Sequence, residues 1–204
     1  YCHADDLMRP SAERVEPMTW LRRIERTAKQ VDAMVCVLTG GDPLAEPERL
    51  SFLLTALYKP GRRAIVLDTS GFDPREMKKL VPLLGEKHVH VRVSIDSFIP
   101  VQNDSSRRLS ISGGSVSALQ RAIESIEILV AEGVAVSVQT VLTKKNSHID
   151  ELRRTRDALG ALGVGNWVLH VFTPAGLGAM RSQLLPENSR AHVTASVREL
   201  VSTN

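Results

Sequence analysis

The chain has 204 residues, 43% hydrophobic and 24% charged, with 13 Gly, 10 Pro and a net charge of +3. This much apolar content excludes a collagen-like or disordered chain, and no apolar run approaches the roughly 18–20 residues that cross a bilayer. Two cysteines, Cys2 and Cys36, are too few for a disulfide scaffold.

In chain order, Trp20, Leu21, Ile24 and Ala28 recur at helical spacing and predict a helix over 17–30. The apolar run 33–38 reads as a buried strand, stopped by Gly40-Gly41-Asp42-Pro43. A helix over 47–58 ends at Pro60-Gly61, and a strand follows at 64–68. Asp73-Pro74 starts the next helix, with Asp as cap and Pro at the first helical position. The third strand covers 89–95, and a polar stretch without clear period fills 97–113. Ser115 caps the strongest helix, whose stripe of Leu119, Ala122, Ile123, Ile126 and Leu129 closes at Gly133. A strand at 134–142, a helix at 149–162, a strand at 167–172 and a helix at 188–202 complete the pattern.

Strands separated by helices imply parallel crossovers, so the fold class is α/β. Five strands are too few to close an eight-stranded barrel. A single domain over 1–204 is expected, an open or partial barrel whose first strand is missing from this chain, because the chain opens on a helix.

Ligands of parallel α/β folds bind at the C-terminal ends of the strands. Those ends are TGGDP (39–43), DTSG (68–71), SIDS (94–97), TKKN (143–146) and TPAG (173–176). Small polar residues also suit ordinary turns. Asp96, however, has no helix immediately after it to cap, so its carboxylate is expected to be free for a ligand hydroxyl. Gly40-Gly41 permits close backbone approach, with carbonyls able to accept from an ammonium group.

Taken in this order, the motifs resemble those of the radical S-adenosylmethionine (SAM) enzymes, and their wording is similar to that of the branch with a C-terminal SPASM domain. Tyr1-Cys2 matches the end of that family's C-x-x-x-C-x-aromatic-C signature. GGDP resembles its GGE motif, with Asp for Glu, and VSIDS (93–97) its ribose-contacting strand. VQTVLTKKN (138–146) and WVLHVFTPAG (167–176) resemble its last two barrel strands. The resemblance implies a partial (β/α)6 TIM-like barrel, a 4Fe-4S cluster with Cys2 as a ligand, and two further cluster cysteines upstream of Tyr1. It implies SAM contacts from Tyr1, Gly40, Gly41, Asp42, Pro43, Thr69, Ser94, Asp96 and Gln139. The implied reaction is reductive cleavage of SAM to a 5′-deoxyadenosyl radical that takes hydrogen from a substrate, with a peptide or protein as the candidate. The implied partners are SAM, a peptide or small-molecule substrate and a reductant such as flavodoxin or ferredoxin; the implied location is cytoplasmic. Arg107 and Arg108, in the long polar stretch, are candidate substrate contacts. With only two cysteines this chain alone should not hold its cluster or be active. The alternative is a cluster-less SAM- or nucleotide-binding module.

Other features carry less. His88 and His90 are expected on one strand face, without further ligands. Cys36 reads as a small core side chain. Scattered basic pairs, with two Trp, two Tyr and four Phe in the chain, do not favour nucleic acid.

Overall fold

The structure is a computed structural model and describes residues 17–107, 116–171 and 187–202. Five strands, β1 (Val35–Leu38), β2 (Ala64–Thr69), β3 (His90–Ser94), β4 (Val136–Leu142) and β5 (Asn166–Val171), lie side by side in chain order, every pair parallel. The helices α1 (Pro17–Gln30), α2 (Pro47–Leu57), α3 (Pro74–Glu86), α4 (Pro100–Ser106), α5 (Ala118–Ala131), α6 (Ile149–Ala161) and α7 (Glu187–Ser202) precede, link or follow them. A 3-10 turn at Pro43–Ala45 leads into α2. The parallel α/β architecture expected from the alternating pattern is the one observed.

Side chains alternate across a strand, and the two sets differ in character. Ile65, Leu67, Val91, Val93 and Val138 share one face and pack against Leu54, Met77, Leu84, Ile126 and Leu129 of α2, α3 and α5. Leu142 and Leu152 join Val193 and Leu200 of α7 in a smaller cluster, bridged to the first by Trp167. The helix-facing side of the sheet is therefore the core. The opposite side carries Asp68, His90, Arg92, Ser94, Ser137 and Gln139, and no described helix packs there by apolar contact.

Three expectations need correction. Among the described residues the strand at 33–38 is not buried: β1 has β2 as its one strand neighbour there, with Val35 and Val37 55% and 47% exposed. Cys36 is accordingly only partly buried, packed against the core from the helix side. The polar stretch after β3 contains α4, unforeseen because Asn, Asp and Ser are poor helix formers. Tertiary bonds hold it: the fully buried Asn103 accepts the Asp96 N–H through Oδ1 at 3.0 Å, and Asp104 accepts the Leu119 N–H. The cap of α5 is Ser117, which accepts the Gln120 N–H; Ser115 lies outside the described residues.

Candidate functional site

Because every strand runs the same way, the turns after β1 to β4 converge at one edge of the sheet. Gly40 and Gly41 form the first, at φ +87° and +53°, a region that disfavours side chains. A Cβ on Gly40 would meet nothing within 4 Å, so backbone conformation and not crowding calls for glycine. Asp42 follows and is wholly engaged by the protein. Its Oδ1 accepts the Leu44 N–H at 3.1 Å and the Thr69 hydroxyl at 2.8 Å; its Oδ2 accepts the Ser70 N–H at 2.7 Å and the Ser70 hydroxyl. Asp42 thus braces the glycine turn against the end of β2, with Pro43 opening the 3-10 turn beside it. Among the described residues the turn's bonds run through Asp42, not through the Gly40 and Gly41 carbonyls. Thr69, buried, passes the brace on by accepting the Gly71 N–H at 3.0 Å.

On the helix-free face at the ends of β3 and β4, Ser94 and Gln139 are register partners, and Gln139 Nε2 donates to Ser94 Oγ at 2.7 Å. Two residues on, Asp96 is 5% exposed. Its carboxylate is not free, contrary to expectation. Arg107 NH2 donates to Oδ1 at 2.9 Å, Arg107 Nε lies 2.9 Å from Oδ2, Ser106 donates to Oδ2 and the Val141 N–H to Oδ1. Asn146 Nδ2 donates to the Asp96 carbonyl at 2.7 Å and to that of Val141. Asp96 therefore ties α4 and β4 to the end of β3, and Arg107, a candidate substrate contact, is its counterion. A small polar pocket opens here among Asp96, Ser97, Gln102, Thr143, Lys145 and Asn146. Ser97 donates in turn to the buried carboxylate of Glu151 in α6.

Gly40 to Pro43, Thr69, Ser94, Asp96 and Gln139 thus converge on one sheet edge. Tyr1, Cys2, Arg108 and the 173–176 turn lie outside the described residues. His88 and His90 do not share a strand face: His88 sits in the preceding turn at φ +49°. His90, on the helix-free face, lies 2.7 Å from Ser137 Oγ through Nε2. Burial, and then the charge of Arg92, lowers its pKa below the ordinary value. The Asp68–Arg92 ion pair on the same face was missed. Its signal is one acid and one base within strands, Asp68 after the apolar run AIVL and Arg92 between Val91 and Val93. Among the described residues no three His, Cys, Asp or Glu side chains group so as to hold a metal.

The Radical SAM superfamily model matches residues 1–159. A search of curated proteins returns no match. Among solved structures, SuiB of Streptococcus suis bound to S-adenosylmethionine superposes with a TM-score of 0.72 at 14% identity, over 99% of this chain and 44% of that one. SuiB bound to its precursor peptide SuiA gives 0.71 at 14% identity, over 100% and 43%. Coproporphyrinogen III oxidase (HemN) from Escherichia coli, described as a radical SAM enzyme, gives 0.60 at 12% identity, over 91% and 45%. The chain therefore spans less than half the length of these relatives, and at such identities the likeness is one of fold.

Proposed function

We propose, from the premise that this chain belongs to the radical SAM superfamily, that the protein binds S-adenosylmethionine at the C-terminal edge of its sheet for radical chemistry on a peptide or protein substrate. The observation that carries the reading is the braced Gly40-Gly41 turn beside the Ser94–Gln139 pair. The fit is chemical. A glycine turn with open space where a Cβ would stand admits the amino-acid end of SAM, and its carbonyls can accept from an ammonium. The Ser94 hydroxyl and the Gln139 amide oxygen suit ribose hydroxyls. Asp42 and Asp96 would act as positioning residues, Asp42 by fixing the turn and Asp96 by fixing the strand end under the ribose. Thr69 and Pro43 support Asp42.

The described residues do not make an iron–sulfur site. Cys36 is their one cysteine, and it faces the helices. The proposed ligand of a 4Fe-4S cluster in this chain is Cys2. When bound together, cluster and SAM supply a carbon-centred radical by one-electron reduction, and the protein's part is orientation and exclusion of water. A flavodoxin- or ferredoxin-like reductant and a cytoplasmic location suit that chemistry. Among the described residues no helix is long and apolar enough to cross a membrane. A peptide substrate is favoured because a protein of this fold, SuiB, has been crystallised with its precursor peptide.

The test uses the full-length protein, reconstituted anaerobically with iron and sulfide, reduced and given SAM. Formation of 5′-deoxyadenosine and methionine is expected, and its loss in Cys2→Ala. Retention of SAM without cleavage would instead favour a binding module that lacks radical chemistry.

A further inference from the structure

One register below Ser94 and Gln139, the helix-free face carries a second polar row that the SAM site does not use. Asp68 and Arg92 are direct partners across β2 and β3. Arg92 meets Asp68 side-on, Nε donating to Oδ1 at 2.7 Å and NH2 to Oδ2 at 2.8 Å. That geometry leaves the NH1 donors of Arg92 without a protein partner among the described residues. The two side chains keep 24% and 13% exposure, so the pair is open to a ligand. Ser137 continues the row, with His90 bonded to it and held towards its neutral form.

A lone guanidinium on such a face would select an anion. Here its charge is already balanced, so the pair is a neutral dipole with donors left on Arg92 and lone pairs left on Asp68. A second carboxylate brought to NH1 would lie close to Asp68 and be repelled, and an ammonium would meet the same difficulty at Arg92. The group that satisfies both ends is an extended peptide residue, whose own N–H and C=O point to the same side. We propose that Asp68 and Arg92 bind the backbone N–H and C=O of one extended residue of the peptide substrate on the helix-free face of the sheet. The carbonyl oxygen accepts from Arg92 NH1, and the N–H donates to Asp68. This inference rests on the peptide reading above and adds the residues that hold the peptide.

The experiment is equilibrium dialysis of the full-length reconstituted protein, with SAM, against a pool of N-acetylated, C-amidated pentapeptides and against the same pool with free carboxylates. Mass spectrometry reads the retained peptides. The blocked pool is expected to be retained at least as well as the free acids. Arg92→Lys and Asp68→Asn should each lower retention about tenfold, because Lys keeps the charge but not the fork. A purely structural ion pair would survive the lysine, and thermal midpoints of the same samples separate unfolding from lost binding. On the wild type alone, the Arg92 guanidinium proton signals should shift when the blocked pool is added. Unchanged retention in both variants overturns the proposal, as does preference for free carboxylates, no retention by the wild type, or unshifted Arg92 signals. Formation of 5′-deoxyadenosine without peptide decides the radical SAM reading separately, so either idea can fail while the other stands.

Discussion

Asp42 gives both carboxylate oxygens to the protein, and the Gly40-Gly41 turn depends on it. In Asp42→Asn the amide nitrogen faces donors at Ser70 or at Thr69 and Leu44, whichever way it turns. The expected cost is about 1–3 kcal/mol of stability, read by urea denaturation, with faster amide exchange at Leu44 and Ser70. His90 gives a pH signature. Its pKa in the folded protein lies below the ordinary value, by burial first and by Arg92 second. Below about pH 6.5 the unfolded chain therefore binds the proton more readily, and stability falls as pH drops towards the folded pKa. Wild type should lose more stability than His90→Gln between about pH 7 and 5, in denaturation curves taken across that range; equal slopes would contradict it. At this scale the sequence was legible in residue type and not in partner. Asp96 and Arg107 both stood out, but nothing in their spacing says that each neutralises the other. Arg63, beside Arg62, reads in the sequence as one of the scattered basic pairs. It is 8% exposed and donates to the carbonyls of Ala28, Ala33 and Leu57, where α1 and α2 end.

Elements whose signal is local were legible; those made by distant contacts were not. The helix at 74–86 follows from Asp73, which accepts the Arg75 and Glu76 N–H groups, and from Pro74 at its first position. Helix α5 follows from its apolar stripe, although its cap stands two residues later than expected. Ser117→Ala should cost about 1 kcal/mol, measured by thermal or urea unfolding, with fraying confined to the first turn of α5. An undiminished stability would mean that Asp104, which already accepts the Leu119 N–H, caps the helix on its own. Helix α4 left no periodic trace because tertiary hydrogen bonds to Asn103 and Asp104 hold it. The run at 33–38 misled for the converse reason. Apolar composition reads the same in an edge strand and a central one, and only the sheet order shows that β1 has a single described neighbour.

Over the whole molecule, the alternation of strands and helices was enough for the architecture, and the order of the strand-end motifs was enough for the family. The chemistry of the helix-free face needed the register, since Asp68 and Arg92 meet only because Thr69 pairs with Val93. The strand order bears on how such a sheet is made. Each strand pairs with the one preceding it in the chain, so a polypeptide leaving the ribosome can add strands one at a time, each onto an edge already in place. The helix between two strands covers the apolar side as the sheet grows. The other side is mixed, with Asp68, Arg92, Ser137 and Gln139 on the same face as the exposed Val35 and Val37.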